Sequence, residues 1–195
     1  MARAARSPVL FDLDAALPDG FVYRPDFLSP EEEQALLELF GGLSFGEVRM
    51  HGVTARRRVL QYGWRYSFDR RGLSPGPPTP PPLLPVRDRA ATLVGRPAAD
   101  LSEVLLTEYQ PGATIGWHRD APAFGLVVGV SLGSACRMRF RRGALPGSER
   151  REVTLDPRSV YVIDGPARTD WQHSIPATDG LRYSITFRTL RGVRS

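Results

Sequence analysis

The sequence predicts a mainly β protein of the α+β class, in which two short helices precede a sandwich or jelly roll of seven or eight strands. From Leu101 onward, apolar and polar residues alternate with a period of two, which is typical of half-buried strands. Gly, Pro and Asp separate these segments, and both helical segments lie before Gly95. The candidate strands are 102–109, 114–120, 125–132, 136–142, 151–155, 159–163 and 181–189.

The first helix is predicted to begin after Ser29. Ser29 suits the cap, Pro30 suits the first helical position, and Glu32 completes a capping box. Leucines and a phenylalanine supply its apolar stripe, and Gly41-Gly42 ends it. A second short helix is expected over Val86–Val94.

Two irregular segments lie between these helices. Residues 45–69 alternate loosely and are rich in aromatic residues and Arg, which indicates a hairpin or a lid. Residues 74–85 contain seven Pro and are expected to form an extended connector. The chain has no internal repeat, so a single domain over 1–195 is predicted.

Composition narrows the class of protein. The 195 residues are 42% hydrophobic and 24% charged, as in an ordinary globular domain. No apolar run approaches the roughly 18 residues of a membrane helix. Met1–Leu10 contains two Arg and no apolar stretch, so no secretory signal is expected. The single cysteine, Cys136, excludes an intrachain disulfide and is typical of a reducing compartment. We therefore expect a cytoplasmic monomer.

The basic residues are unevenly distributed. All 26 are Arg, an excess that codon bias in a GC-rich genome explains by itself. Codon bias does not explain their clustering, because 44–72 holds seven Arg against two acids and 135–151 holds six against one. Residues 11–40 are acidic instead. The two clusters are consistent with an anionic partner.

Three residues are candidate metal ligands. His118 and Asp120 stand at positions i and i+2 of an extended segment, so both side chains leave the same face. His173 follows 55 residues later. Two His and one carboxylate form the facial triad of non-haem Fe(II) oxygenases, whereas structural zinc sites prefer four N or S ligands. The alternative is a histidine that only hydrogen-bonds to a carboxylate.

The last predicted strand has a polar face made of Arg182, Ser184, Thr186 and Arg188. Two arginines pointing into a barrel would be costly unless anions paired with them, and guanidinium groups bind a dicarboxylate well. The alternative is a solvated edge strand. Tyr109, two residues after Thr107, could donate its hydroxyl to the same carboxylate or be an ordinary buried tyrosine.

Taken together and in order, these segments resemble the AlkB-like family of Fe(II)- and 2-oxoglutarate-dependent dioxygenases. The resemblance spans roughly residues 20–190. It is carried by five motifs: Thr107-Glu-Tyr109-Gln-Pro-Gly112, Gly116-Trp-His118-Arg-Asp120, Val130-Ser-Leu-Gly133, Trp171-Gln-His173-Ser-Ile-Pro176 and Arg182-Tyr-Ser-Ile-Thr-Phe-Arg188.

The resemblance implies a double-stranded β-helix (jelly roll) with N-terminal flanking helices and a catalytic core over 101–190. It implies Fe(II) held by His118, Asp120 and His173, with O2 and 2-oxoglutarate as co-substrates. Arg182 and Tyr109 would bind the C5 carboxylate of 2-oxoglutarate, and Arg188 would lie near its C1 end.

The sequence departs from the family at three positions near the implied site. Thr107 and Ser184 stand where family members commonly have Asn, so the side chains that would touch the co-substrate are shorter here. Pro122 stands where several repair members carry an acid near the base.

Residues 45–70 resemble the family's nucleotide-recognition lid, and we expect a mobile basic flap outside the barrel core. The lid would offer Arg56, Arg57 and Arg58 to phosphates and Tyr62, Trp64 or Tyr66 to a flipped base. The alternatives are a solvated arginine face and aromatic residues that pack on the barrel. His51 is interpreted as a lid or surface residue.

The implied activity is oxidative removal of alkyl groups from nucleobases in DNA or RNA, with release of formaldehyde, succinate and CO2. Arg137–Arg142 is interpreted either as a second phosphate contact or as an exposed strand. A demethylase or hydroxylase of a protein or small molecule is the rival enzyme. A nucleic-acid-binding module with a vestigial iron site is the rival outside enzymes.

Overall fold

The computed structural model describes residues 17–50, 53–67, 72–144 and 147–192, and His51 lies outside these ranges. The described residues form three α-helices: α1 (Pro30–Gly41), α2 (Leu84–Leu93) and α3 (Gly165–Thr169). They also form twelve strands: β1 (Phe21–Arg24), β2 (Gly46–Met50), β3 (Val53–Ser67), β4 (Gly72–Pro75), β5 (Glu103–Tyr109), β6 (Ile115–His118), β7 (Phe124–Gly133), β8 (Cys136–Arg142), β9 (Glu149–Leu155), β10 (Val160–Ile163), β11 (Gln172–Ile175) and β12 (Arg182–Leu190).

The strands form two sheets. The major sheet has the order β1-β10-β7-β12-β5-β3-β2, with β4 paired to β3. The minor sheet has the order β6-β11-β8-β9. This architecture confirms the predicted mainly β fold and the double-stranded β-helix.

Two apolar clusters hold the layers together. One lies between the helices and the major sheet, and it contains Phe40 of α1 and Val104 and Leu106 of β5. The other lies between the two sheets and contains Tyr109 and Phe140. Alternate residues of β5 therefore face the helices or the space between the sheets, and the second set borders the candidate site.

The helix predictions are confirmed, with small shifts in their bounds. The Ser29 hydroxyl accepts a hydrogen bond from the Glu32 amide at 3.1 Å, and the Ser29 amide donates to the Glu32 carboxylate at 2.8 Å. The second helix begins two residues earlier than predicted. The Pro-rich connector ends in one 3-10 turn over Pro81–Leu83 that leads directly into α2. No helix in the described ranges is long and apolar enough to cross a membrane.

Three strands were not predicted, β1, β4 and β11. Each has four residues, which is too short to establish a period of two. Strand β11 nevertheless joins β6 to β8 and carries His173, so it completes the minor sheet.

The expectation that 45–70 forms a flap outside the barrel is wrong for its described part, which takes the hairpin form. Strands β2 and β3 pair with each other, and β3 pairs with β5 along Arg57–Gly63. The backbone groups along the edge of β5 would otherwise lack partners, and β3 supplies them. Residues 51–52 and 68–70 of this segment lie outside the described ranges.

Candidate metal and co-substrate site

Strands β5 and β12 together form the wall of the site. Their antiparallel register sets four pairs of residues directly opposite each other on the face toward the minor sheet: Tyr109–Arg182, Thr107–Ser184, Leu105–Thr186 and Glu103–Arg188. Members of these pairs line the pocket that also contains His118, Asp120 and His173. The pocket-facing residues of β5 and β12 thus form one continuous, largely polar surface. Its β12 part is mostly buried, which confirms the polar face predicted for this strand.

The three predicted metal ligands converge. His118 of β6 is directly opposite His173 of β11, and their ring centroids are 4.3 Å apart. Asp120 follows His118 by two residues, and its Oδ2 lies 3.6 Å from His173 Nε2. One ligand atom from each of the three residues lies within 4.8 Å of the others. Two imidazoles and one carboxylate gathered in this way fit Fe(II).

Both histidines are prepared to bind a cation. His118 Nδ1 lies 2.9 Å from the Gly116 carbonyl, which can only accept, so Nδ1 carries the proton and Nε2 keeps its lone pair. Burial, with a contribution from His118, lowers the pKa of His173 to about 3. His173 is therefore neutral at pH 7, as a metal ligand must be.

Asp120 is fixed by Arg188. Its Oδ1 accepts from Arg188 Nε at 3.0 Å and from Nη2 at 2.8 Å, which leaves Oδ2 facing His173. Burial alone would raise the pKa of Asp120, but Arg188 together with the two histidines and Arg168 outweighs this effect and holds the pKa below its ordinary value. Arg188 is itself held by Glu103, whose two oxygens lie 3.1 and 2.9 Å from Nη1.

A second arginine organises the loop after Asp120. Arg168 of α3 is 5% exposed and donates to four carbonyl groups at 2.8–3.2 Å, those of Asp120, Ala121, Phe124 and Gly125. One guanidinium thereby fixes the chain between β6 and β7. This loop sets the direction of the Asp120 backbone, so Arg168 stabilises the position of the metal ligand Asp120 through backbone hydrogen bonds.

Arg182 has the environment of an anion-binding residue. It is 0% exposed, and its Nε donates to the Ser131 hydroxyl at 3.2 Å. No described residue offers a hydrogen-bonding partner to its Nη1 or Nη2, and its guanidinium carbon lies 4.6 Å from the centre of the Tyr109 ring. A buried cation with unpaired donors is costly, and a carboxylate pairs with both Nη groups. The site therefore fits one end of a dicarboxylate such as 2-oxoglutarate.

The remaining predicted co-substrate residues lie along the same wall. Thr107 and Ser184 are buried opposite each other, between the Arg182 end and the metal end. Arg188 lies at the metal end, as expected for a residue near C1 of 2-oxoglutarate. Its guanidinium is already engaged by two protein carboxylates, and its contact with the co-substrate stays a prediction.

The three predicted base-stacking residues lie in different surroundings. Tyr62 lies opposite Val104 and packs against the cluster between the major sheet and the helices. Trp64 borders a surface groove beside the 3-10 turn Ala98–Asp100. Tyr66 instead lies 6.2 Å from Phe124, ring centre to ring centre, and Phe124 contacts Arg188.

Gly63 explains this change of direction along β3. Its φ is +71°, and a Cβ there would overlap the Ser102 carbonyl, so only glycine fits. Before Gly63 the strand pairs with β5, and after it the strand pairs with β4. Tyr62 before the bend therefore lies beside β5, whereas Trp64 and Tyr66 after it lie beside β4.

The three predicted phosphate-binding arginines also diverge. Arg57 lies opposite Tyr109, and its Nη1 donates to the Thr114 carbonyl at 3.3 Å. Arg58 forms a 2.7 Å ion pair with Glu108 on the other face. Arg56 is exposed beside the turn at Gly112.

Sequence reasoning missed Glu103, Arg168 and Ser131. Glu103 continues the i, i+2 series that ends at Thr107 and Tyr109, so that series extended backward would have found it. Arg168 had no local signal, because its partners lie 43 or more residues away. Ser131 stands in the motif Val130-Ser-Leu-Gly133, but its role was missed because its partner Arg182 lies 51 residues away.

Comparisons with known proteins agree with this geometry. The profile of the 2OG-Fe(II) oxygenase superfamily matches residues 20–188. The tRNA (carboxymethyluridine(34)-5-O)-methyltransferase alkbh8 of Xenopus tropicalis is 29% identical over 168 residues, which are 84% of this chain and 26% of that protein. The alkylated DNA repair protein ALKBH8 homolog of Arabidopsis thaliana is 26% identical over 86% of this chain and 53% of that protein.

The chain thus spans about a quarter and about half of the lengths of these two relatives. Among solved structures, that of OsALKBH1 superposes with a TM-score of 0.67 at 17% identity, covering 87% of this chain and 96% of that one. This likeness supports the fold.

Proposed function

Because the chain belongs to the 2OG-Fe(II) oxygenase superfamily and is AlkB-like within it, we propose that it oxidatively removes alkyl groups from nucleobases of DNA or RNA. A methylated nitrogen, 2-oxoglutarate and O2 give the free nitrogen, formaldehyde, succinate and CO2. Iron(II), when bound by His118, Asp120 and His173, supplies the oxidising chemistry and takes its electrons from 2-oxoglutarate.

One observation carries the co-substrate part of the proposal: the guanidinium of Arg182 is fully buried, and two of its nitrogens have no partner in the described part of the chain. In the proposed complex Arg182 binds the distal carboxylate, and the Tyr109 ring beneath it fixes the plane of the guanidinium. Thr107 and Ser184 border the chain of the co-substrate. Arg188 holds Asp120 in the orientation that leaves Oδ2 for the metal.

The substrate class is supported by the relatives and by the mouth of the site. One relative is named for alkylated DNA repair and another for tRNA modification. The Tyr66 ring lies beside Phe124, which contacts Arg188, and we assign Tyr66 the stacking contact with the base. Arg57 lies opposite Tyr109 and therefore on the pocket side of β3, and we assign it the phosphate contact among the three arginines.

Formaldehyde release tests the proposal. The parent protein, loaded with Fe(II) and 2-oxoglutarate, is incubated with methylated single-stranded DNA, methylated RNA and methylated peptides of equal concentration. We expect formaldehyde and succinate in equal amounts from at least one nucleic acid, and none from Asp120→Ala. Formaldehyde from the peptides alone would replace this function by the protein demethylase.

A further inference from the structure

The outer face of the minor sheet is rich in arginine. In β8, Cys136, Met138 and Phe140 point inward and are buried. The alternate residues of β8 point outward, and they are Arg137, Arg139 and Arg141. Because Arg141 pairs with Arg150 and Arg139 with Glu152, these β9 residues share that outer face.

Arg141, Arg150 and a further outward-facing arginine, Arg119, form a row across the sheet. Gln172 of β11 lies opposite Arg141, which lies opposite Arg150. His118 lies opposite His173, so the next residue, Arg119, comes opposite Gln172 and points outward. At about 4.8 Å per strand, the row from Arg119 to Arg150 covers about 14 Å. We call Arg119, Arg141 and Arg150 the arginine row.

The positive charge of the row is not balanced by nearby acids. Among the described residues, Arg119 donates to the Asp170 carbonyl, Arg141 to the Gln172 side-chain oxygen and Arg150 to the Ser148 hydroxyl, which are all neutral groups. The single carboxylate on this face belongs to Glu152, which pairs with Arg137 and Arg139. The described outer face thus carries five arginines and one carboxylate.

The surface lacks the apolar anchor of most protein interfaces and membrane-binding faces. The exposed large apolar residues of the described chain are Val22, Trp64, Leu73 and Leu181, and all four lie elsewhere. Trp117, which does lie here, is covered by Arg141 at 4.6 Å from its ring centre. A polar, strongly positive face is the usual composition of a nucleic-acid interface.

We propose that the arginine row binds the phosphodiester backbone of the substrate strand, beside the base that enters the metal site. This inference rests on the proposed function. Arg119 stands between the ligands His118 and Asp120 but points to the opposite face of the sheet. A strand with one base in the pocket therefore passes over the β6 edge and reaches the row with its neighbouring phosphates. Each guanidinium offers paired donors to a phosphate.

The test compares two variants: one removes two positive charges from the row, and the other removes two positive charges from a different surface. The row variant is Arg141→Gln/Arg150→Gln, and neither substitution changes a residue of the metal site. The matched control is Arg87→Gln/Arg89→Gln on α2, where each arginine already pairs with a carboxylate. Affinities for unmodified single-stranded DNA and RNA of one sequence are measured by fluorescence anisotropy over a range of salt concentrations, for the parent and both variants.

Loss of two phosphate contacts should reduce the slope of log affinity against log salt by about 1.4 in the row variant. The control should keep the parent's slope. A methylated dinucleotide is too short to reach the row, so the row variant should demethylate it at the parent's rate. That rate also shows that the variant is folded.

Three results would overturn the proposal. If the slope of log affinity against log salt fell equally in the two variants, the effect would be one of net charge and not of the row. If the row variant kept the parent's slope, the phosphodiester backbone would bind elsewhere on the protein. Preferential binding of the parent to an acidic peptide or to anionic vesicles would assign the face to another partner. In each case the proposed function stands if the parent still demethylates the dinucleotide. Formaldehyde release from peptides alone would overturn both the proposed function and the inference about the arginine row.

Discussion

Glu103 and Arg188 form an ion pair next to the metal carboxylate Asp120, in which the Glu103 side chain is fully buried and that of Arg188 is 11% exposed. Both Glu103 oxygens lie within 3.1 Å of Arg188 Nη1, and the opposite side of the same guanidinium contacts Asp120. The two residues are direct cross-strand partners in β5 and β12. The strand register itself therefore builds a chain from Glu103 through Arg188 to a metal ligand.

Replacing Glu103 tests this chain. Glu103→Gln leaves the Arg188 charge with one carboxylate instead of two, and loss of a partner from a buried pair costs about 3–5 kcal/mol of unfolding free energy. Mn(II) affinity should fall about tenfold, as for other outer-shell changes. Urea unfolding and Mn(II) titration measure the two effects. The control, Glu152→Gln, breaks exposed pairs and should cost under about 1 kcal/mol. Similar losses in the two variants would contradict the prediction.

Asp120→Ala should weaken Mn(II) binding by more than about 100-fold, because changes outside the ligand shell already reach that size. Isothermal titration measures the affinity. Asp170→Ala removes a carboxylate that bonds to the Thr169 hydroxyl and should bind Mn(II) like the parent. Parent-like binding by Asp120→Ala would remove this residue from the ligand set.

Arg182→Lys keeps the charge but loses the planar pair of donors that fits a carboxylate. The KM for 2-oxoglutarate, measured by succinate formation, should rise more than about tenfold, which corresponds to 1.4 kcal/mol. Arg89→Lys, an ion-paired position on α2, is the control and should leave the KM unchanged. An unchanged KM in Arg182→Lys would place the dicarboxylate elsewhere.

Trp64 and Tyr66 provide a matched pair on one strand. Tyr66→Ala should cost about 1–3 kcal/mol of binding to a methylated oligonucleotide if the ring stacks on the base. Trp64→Ala should have no effect on that affinity, because Trp64 borders the groove beside Ala98–Asp100. Oligonucleotide titrations of the two variants decide the assignment, and the opposite order would restore Trp64 as the stacking residue.

The low pKa of His173 predicts a pH dependence of stability in the metal-free protein. Burial lowers the pKa from its ordinary 6.5 to about 3, so between these values the unfolded chain binds a proton that the folded chain does not. Stability therefore falls as pH decreases through this window, by at most about 1.4 kcal/mol per pH unit. His173→Gln lacks this contribution. Urea unfolding with a chelator should show the parent losing more stability than the variant from pH 6.5 to 4.5, and parallel losses would contradict the assignment.

Much of the site was predictable because its chemistry follows strand alternation. His118 and Asp120, or Arg182 and Arg188, share a face whatever the rest of the chain does. The capping box of α1 was predictable for the same reason, since its partners are three residues apart. Such features need only local geometry and residue type.

The sequence alone determined which residues share a face, while the tertiary structure decided what each face meets. Arg58 was expected at phosphate but meets Glu108, and Tyr62 was expected at a base but packs on the helix side. Register between distant strands sets these partners, and a period of two does not indicate which side of a strand is covered. The bend at Gly63 and the pairing of Glu103 with Arg188 arise only when β3, β5 and β12 come together.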